Sequence, residues 1–269
     1  MDKAVPKISF YLLGSILIAL FIVPFFYTVS PYEINVNKIL QTPSLSHLMG
    51  TDRLGRDLLA RILQGGQVSI IIGVGSAVIA TLIGLIAGVI AGYRQGKSDK
   101  AFVVTIDLFL TFPTFFLLLA LASYMDASIF ILIFIISITG WMTTARLIRS
   151  ESFAITAKPY IKILRIAKVN PIKILFKYYL PMLLPIFLVS FTFGVGGAIL
   201  SESGLSYLGL GITSPQMSWG SILSEGKEVL DVAWWISFFP GLSIFLVTFS
   251  LINISDYLQK ISNAKPQRT

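Results

Sequence analysis

Six stretches of this chain are long and apolar enough to cross a lipid bilayer, and they constrain the fold more than any other feature. A spanning helix needs about 20 mostly apolar residues, because it rises 1.5 Å per residue through roughly 30 Å of hydrocarbon. With 55% hydrophobic and 13% charged residues, the chain is too apolar for a soluble domain. The sequence therefore predicts an all-α integral membrane protein with six transmembrane helices. The stretches are residues 8–29, 68–92, 101–124, 127–145, 182–200 and 236–254.

The positive charges are concentrated in alternate loops, which predicts how the chain is oriented. Of the 21 Lys and Arg residues, 16 fall in the two terminal segments, the loop between the second and third spans, and the loop 146–181. Short loops rich in Lys and Arg stay in the cytoplasm, so both termini are predicted to be cytoplasmic. The net charge of +8 is then a topology signal, and we expect no nucleic-acid partner.

The chain is predicted to form one membrane domain, because no internal repeat or low-complexity linker divides it. The first span is expected to stay as an uncleaved helix, since no small-x-small cleavage site follows it. Two outside loops, 30–67 and 201–235, are too long for simple turns, so each should carry short helices at the membrane face. We divide the chain into an N-terminal helix and outside loop with an interfacial segment (1–67), a transmembrane core (68–258) and a cytoplasmic tail (259–269).

Small residues recur at every fourth position along the second span, which makes one helix face without bulky side chains. Backbones can approach closely along such a face. Packing against another helix of the same chain is favoured over contact with another subunit. The residues are Ser76, Ala80, Gly84, Gly88 and Gly92.

Two prolines and one acid lie inside the apolar stretches. Pro24 and Pro113 each remove a helical hydrogen bond, so the helices are expected to be interrupted there. Asp107 is about six residues into the third span. A helix-start position at the membrane interface is therefore favoured over a functional acid within the membrane.

The sequence contains no recognisable catalytic or metal site. Cysteine is absent, His47 is the one histidine, and neither an HExxH nor a GxSxG motif occurs. Residues 92–98 resemble a P-loop, but three residues separate their glycines where the loop needs four, so ATP binding is not expected. Asp52 and Asp57 lie among arginines, and charge neutralisation is favoured over a catalytic acid pair. We expect no catalytic residue, metal or cofactor in this chain.

Residues 158–170 have the spacing of a short amphipathic helix ended by Asn170-Pro171. Its apolar positions are Tyr160, Ile163, Leu164 and Ala167. Its cations are Lys158, Lys162, Arg165 and Lys168. From the residues alone, two functions remain open: the helix rests on anionic lipid headgroups, or its apolar side enters a groove on a partner protein.

Three sequence blocks resemble the permease subunits of bacterial ABC importers for dipeptides, oligopeptides and nickel, of the OppC/DppC/NikC type. The first, residues 47–61, is similar to the family pattern H-x-x-G-T-D-x-x-G-R-D-x-x-x-R. The second, residues 201–226, resembles E-x-G-L-S-F-L-G-L-G followed by P, S-W-G and E-G. The third, residues 140–181, contains the basic loop. The matching residues of the first block are His47, Gly50, Thr51, Asp52, Gly55, Arg56, Asp57 and Arg61.

The resemblance implies a type I ABC importer permease with a MetI-like fold, in the bacterial cytoplasmic membrane. Its implied partners are a second homologous permease chain, two cytoplasmic ATPase subunits that hold ATP and Mg²⁺, and an extracytoplasmic solute-binding protein. The implied substrates are small peptides or chelates of nickel or other metals, with the choice left open. The alternative is a secondary transporter or a channel subunit not coupled to ATPases, but no inverted repeat is visible.

The resemblance also assigns two candidate surfaces. The helix of the basic loop aligns with the coupling loop that docks on the ATPase. Residues 201–226 are expected to form part of an outer gate or to contact the binding protein, against the alternative of a purely structural loop. The docking candidates are Tyr160, Lys162, Ile163, Leu164, Arg165, Ala167, Lys168 and Asn170. The outer candidates are Glu202, Gly204, Leu205, Tyr207, Leu208, Gly209 and Trp219.

The chain departs from the family pattern in the coupling loop. Lys162-Ile163-Leu164 stand where Glu-Ala-Ala is typical, and Lys168 stands where the family has Gly. The contact with the ATPase must therefore differ, for example by facing a more acidic groove.

Overall fold

The computed structural model describes the backbone of residues 6–264 and the side chains up to residue 262. Within this part the secondary structure is helical, apart from one isolated β-bridge between Thr51 and Asp57. Two short 3₁₀ turns lie at Val23–Phe25 and Val36–Lys38, and a π-helix, Leu175–Tyr179, joins α7 to α8. The helices are α1 (Lys7–Ile22), α2 (Leu58–Arg94), α3 (Gly96–Thr111), α4 (Thr114–Ser123), α5 (Ile129–Thr156), α6 (Pro159–Ile166), α7 (Pro171–Ile174), α8 (Leu180–Tyr207), α9 (Trp219–Lys227) and α10 (Trp235–Ala264).

Five helical segments are long and apolar enough to cross a membrane, and α3 with α4 makes a sixth if the pair is one bent span. The axes of α3 and α4 differ by 77°, and the bend lies at Pro113, which has no backbone N–H to continue the helix. Pro24 likewise lies in the 3₁₀ turn after α1. These observations confirm the all-α fold and both expected interruptions.

Four of the helices, α2, α5, α8 and α10, are longer than the apolar stretches that predicted them. Helix α2 begins ten residues before the predicted start at residue 68, and α5 continues eleven residues past residue 145. The boundaries drawn at 67/68 and 258/259 fall inside α2 and α10. Hydropathy locates the part of a helix that suits lipid, whereas polar helical ends are stabilised by packing. Lys265 and Arg268 of the predicted tail, and Lys3, lie outside the described residues.

The small-residue face of α2 packs against α5 of the same chain. A Cβ atom on Gly84 would lie 2.8 Å from the Thr144 side chain, and one on Gly88 would lie 2.6 Å from the Ala145 carbonyl oxygen. The same contact continues to Gly92 and Ser152. Intramolecular packing is therefore confirmed.

Asp107 is not at a helix start. It lies near the end of α3, four residues before Thr111, and its half-exposed carboxylate pairs with Arg146 of α5. Nearby, Asp99 in the first turn of α3 accepts a 2.6 Å hydrogen bond from Nη2 of Arg149. The two ion pairs hold α3 beside α5, and residues so far apart in the chain could not be matched from the sequence.

Gly88→Ala should destabilise the protein by about 1–3 kcal/mol, because the new methyl group must displace the α5 backbone. Gly14→Ala is the matched control, since its Cβ would meet nothing within 4 Å. Thermal unfolding of the detergent-solubilised protein should show a lower midpoint for Gly88→Ala alone. Equal midpoints for both variants would contradict the close α2–α5 contact.

Candidate functional site

A cavity of ≈ 420 Å³ lies among α2, α4, α5, α8 and α10, and we call it the hydroxyl cavity. Its lining is rich in Ser, Thr, Gly and Ala, and its one ionisable lining residue is Asp256. Ser76 and Ser190 are among the lining residues, and their hydroxyl oxygens are buried and have no hydrogen-bond partner among the described residues. The cavity can therefore hydrogen-bond an uncharged polar group at membrane depth.

Sequence reasoning missed this cavity, although a signal was present. On α8, Ser190, Gly194, Gly197 and Ser201 recur at helical spacing within an otherwise apolar segment and form one small, polar face. On α5, Thr139 and Thr143 are spaced in the same way. Only the folded structure brings these faces together.

The first sequence block builds a buried ion network, with Asp52 at its centre. The fully buried Asp52 carboxylate accepts hydrogen bonds from the backbone N–H of Leu54 (2.8 Å) and from the backbone N–H (2.9 Å) and Nε (2.6 Å) of Arg56. It also pairs with Arg61. The loop before α2 is thereby fixed by charge-assisted hydrogen bonds.

Arg61 connects this loop to α9. Its guanidinium group is almost fully buried and donates to both carboxylate oxygens of Glu225, at 2.6 and 2.8 Å. Arg56 also reaches Glu225, at 3.1 Å. Charges removed from water need oppositely charged partners, so the loop, α2 and α9 must be positioned together.

The sequence suggested that Asp57 pairs with an arginine. In the structure Asp57 instead caps α2. Its carboxylate accepts a 2.9 Å hydrogen bond from the Ala60 backbone N–H and lies 2.8 Å from Nδ1 of His47. The expected neutralisation is confirmed for Asp52 and is wrong for Asp57.

The remaining residues of the first block fit tight backbone contacts. Gly50 has φ +80°, and a Cβ there would lie 2.7 Å from both the Gln41 carbonyl oxygen and Nε1 of Trp235. Gly55 has φ +72° and lies against the Asn35 carbonyl group. Thr51 accepts from the Gln41 backbone N–H at 2.8 Å through its hydroxyl, and its carbonyl accepts from Trp235 Nε1 at 3.1 Å. Together the block forms the frame of the outer loop.

The second block is mostly interior. The buried Glu202 carboxylate accepts hydrogen bonds from the hydroxyl groups of Ser69 (3.0 Å) and Ser206 (2.6 Å). Trp219 is also buried, and its Nε1 donates to the Ile62 carbonyl at 3.0 Å. Leu205 is fully buried as well. None of the three candidates Glu202, Leu205 and Trp219 presents a side chain to a binding protein in this conformation.

The other outer candidates are more accessible. Leu208 and Gly209 are exposed where α8 ends, and Gly209 has φ +84°. Tyr207 is half-buried beneath the Lys227 ammonium group, 5.1 Å from the ring centre. Gly204 is half-buried and faces the Phe115 ring. Of the seven outer candidates, those near the end of α8 are thus the ones that a binding protein could reach.

Helix α6 is amphipathic as predicted, but its apolar residues divide between two faces. Ile161, which was not singled out, is fully buried, and Leu164 packs beside it on a core shared with α5 and α8. Tyr160, Ile163 and Ala167 are exposed, and so is Ile166, whose exposed fraction is 82%. Including Leu164 in an outward stripe was wrong, because one side of this helix must anchor it to its own domain.

Arg165 acts within the chain. Its guanidinium lies 4.8 Å from the centre of the Tyr93 ring at the end of α2. Tyr93 contacts the Tyr179 ring edge-to-face at 5.7 Å, and the Tyr179 hydroxyl lies 2.7 Å from Oγ1 of Thr156 on α5. Helix α6 is therefore linked to both α2 and α5.

The turn after α6 has a conformation that suits the glycine expected at this position from the resemblance. Lys168 has φ +53°, a left-handed conformation that favours glycine, and the following Val169 N–H donates to the Leu164 carbonyl at 3.1 Å. The Asn170 side chain then accepts from the Ile172 N–H at 2.9 Å and caps α7. Lys162 is exposed on the same surface as Ile163.

Residues 92–98, which resembled a P-loop, form the turn between α2 and α3. Gln95 and Gly96 have φ +57° and +69°. Among the described residues, no group of three or more His, Cys, Asp or Glu side chains is arranged to hold a metal ion.

Comparison with known proteins identifies the family. The model of the family described as "Binding-protein-dependent transport system inner membrane component" matches residues 80–266. The chain belongs to this family. The permease is 31% identical to the oligopeptide transport system permease protein OppC of Haemophilus influenzae, over 96% of this chain and 83% of that protein.

Further relatives have similar names. The OppC protein of Bacillus subtilis is 33% identical over 88% of this permease and 78% of its own length. A putative peptide transport system permease protein of Brucella suis is 31% identical over 95% of this permease and 86% of its own length. The permease is thus an OppC-type, multi-pass protein of the bacterial cytoplasmic membrane. Its family implies an ATPase and a solute-binding protein as partners.

Asp52→Asn should destabilise the permease by about 3–5 kcal/mol, because it leaves buried arginine charge uncompensated. Glu228→Gln is the control, since Glu228 pairs with Arg53 at an exposed position where about 0–1 kcal/mol is expected. Thermal unfolding in detergent measures the loss of stability in each of the two variants. Similar losses for the two variants would show that the buried network does not dominate the stability of the outer loop.

Proposed function

We propose that this permease forms half of the translocation pathway of an ATP-driven importer for small peptides. Its partners are a second homologous permease chain, two cytoplasmic ATPase subunits that carry ATP and Mg²⁺, and an extracytoplasmic solute-binding protein. The observation that carries this proposal is the hydroxyl cavity, with the unpaired hydroxyl groups of Ser76 and Ser190.

The chemistry of the cavity suits a peptide. Peptide substrates share backbone N–H and C=O groups and differ in their side chains, so a general peptide pathway needs hydrogen-bonding groups without a fixed charge pattern. The lining supplies Ser and Thr hydroxyls, with Asp256 as its one acid. Relatives named for oligopeptide transport support the same choice. A nickel or other metal chelate is the second substrate class, and it would need no protein ligand.

The exposed face of α6 provides a docking surface for an ATPase subunit. Tyr160, Ile163 and Ile166 expose apolar area next to the Lys162 ammonium group. A helix that presents apolar residues in this way fits a hydrophobic groove on a partner protein. The positive charge of Lys162 beside these apolar residues favours a partner groove with acidic residues at its edge.

Movement of α6 can reach the cavity through named contacts. Arg165 stacks on Tyr93 of α2, and Tyr179 bonds to Thr156 of α5. Helices α2 and α5 both line the hydroxyl cavity and are held together by the glycine face of α2. A shift of α6 on ATP-driven closure of the ATPases would therefore move two walls of the cavity together. This movement would switch the side of the membrane to which the cavity opens.

Ile163→Asp and Lys162→Glu should each remove the co-expressed ATPase subunits from the purified complex and lower ATP-dependent uptake at least about tenfold, because each places negative charge on the docking face. Charge reversal at Lys162 tests docking alone, whereas charge reversal at Arg165 would also break the contact with Tyr93. Leu45→Asp, at a position 99% exposed in the outer loop, is the control and should keep its ATPases.

Retention of ATPases and full uptake by the α6 variants would refute docking through this face. If the wild-type permease is purified without any ATPase subunit and still transports, it is a secondary transporter or channel subunit instead.

Ser190→Ala should raise the peptide concentration needed for half-maximal uptake about 2- to 10-fold, the effect of one lost hydrogen bond. Thr192→Ala is the control on the same helix, because the Thr192 hydroxyl donates to the Leu188 carbonyl at 2.9 Å and does not line the cavity. Uptake of a labelled peptide into vesicles measures the effect. Equal uptake curves for both variants would place the peptide pathway elsewhere.

A further inference from the structure

An apolar groove of ≈ 270 Å³ lies between α2 and the junction of the π-helix with α8. Its α2 side consists of Leu85, Ile86, Val89 and Ile90. The opposite side consists of Leu, Phe and Tyr residues within 175–183. Three of the lining residues come from the π-helix, a rare geometry that often occurs at functional sites.

The groove offers an occupant almost no polar atom. Its one polar side chain is Tyr179, whose hydroxyl points away to Oγ1 of Thr156, 2.7 Å distant. The tyrosine thus contributes only its ring. Ile86 and Phe176 are well exposed, so the groove is open along its length.

The groove and the hydroxyl cavity lie on opposite sides of α2. At about 100° per residue, Ile86 and Ile90 lie roughly opposite Ala77 and Ala80, which line the cavity. The groove therefore faces away from the cavity and toward lipid. An apolar, lipid-facing groove fits a hydrocarbon chain.

Three cations lie within about one helical turn of residues that line the groove, on the side that the charge distribution predicts to be cytoplasmic. Arg94 continues the row of Ile86 and Ile90 by one turn, and Lys173 and Lys177 lie within a turn of Phe176. All three are exposed, and none forms an ion pair with a described side chain. They provide positive charge where a lipid headgroup would lie.

The distance from Leu85, at one end of the groove, to Arg94 is close to the thickness of one leaflet. Leu85 lies nine residues before Arg94, which is roughly 13 Å along a helix. Half of the hydrocarbon core is about 15 Å. A chain that starts at the cations and ends beside Leu85 would span the cytoplasmic leaflet.

We propose that this groove binds an acyl chain of an anionic phospholipid of the cytoplasmic leaflet, with the phosphate held by Arg94, Lys173 and Lys177. The bound lipid would lie beside Tyr179, in the contact chain that links α6 to α5. It would therefore stabilise the cytoplasmic end of α2 where α6 is attached. The proposal depends on the predicted orientation and not on the transported substrate.

Native mass spectrometry of the full chain, with whatever subunits remain bound, tests this with dioleoyl phosphatidylglycerol and dioleoyl phosphatidylcholine at equal concentrations. We expect the first phosphatidylglycerol to bind about fivefold or more tightly than phosphatidylcholine. The triple variant R94Q/K173Q/K177Q should lower this preference to within about twofold. The control variant K97Q/K100Q/K260Q removes the same charge from the predicted cytoplasmic side and should keep the preference.

A second pair of variants tests the acyl chain separately. Ile86→Trp places an indole in the groove and should weaken phosphatidylglycerol binding with all cations present. Ile79→Trp lies on the same side of α2 but outside the groove and should bind like the wild type. No preference in the wild type, equal loss in both charge variants, or unchanged binding by Ile86→Trp would each overturn the proposal.

Discussion

The buried pairing of Arg61 with Asp52 and Glu225 is the constraint on which the outer half of this permease depends. A guanidinium group removed from water must meet carboxylates on several sides, and here they come from the loop before α2 and from α9. That requirement fixes the loop against α2 and brings α9 beneath it. Trp219 and Trp235 then fill the space between these elements and donate to backbone carbonyls.

Helix α2 serves three surfaces at once. Its small-residue face packs on α5 through Gly84, Gly88 and Gly92 and lines the hydroxyl cavity through Ser76 and Ala80, while the opposite face forms the apolar groove that we assign to lipid. Its cytoplasmic end carries Tyr93, on which Arg165 of α6 stacks. A single rigid element therefore connects the proposed ATPase contact, the proposed pathway and the surrounding membrane, and close packing makes it suitable for transmitting movement.

Local patterns predicted a large part of this architecture. The apolar stretches, the break at Pro113 and the α2 face that contains Gly88 depend on neighbours in sequence, and the structure confirms each of them. Predictions failed where tertiary contacts decide the position or the partner of a side chain. Leu164 belongs to the predicted stripe of α6 but packs inward, and Asp57 caps a helix beside His47 instead of pairing with an arginine.

The sequence by itself determined the all-helical membrane fold, the number of candidate spans and the predicted orientation, because hydropathy and loop charge are properties of short segments. Tertiary structure alone decided which buried charges meet and which hydroxyls share a cavity. Arg61 and Glu225 are 164 residues apart, and Ser76 and Ser190 come from different helices. Such pairings depend on distances across the folded bundle, and no local pattern of residues encodes them.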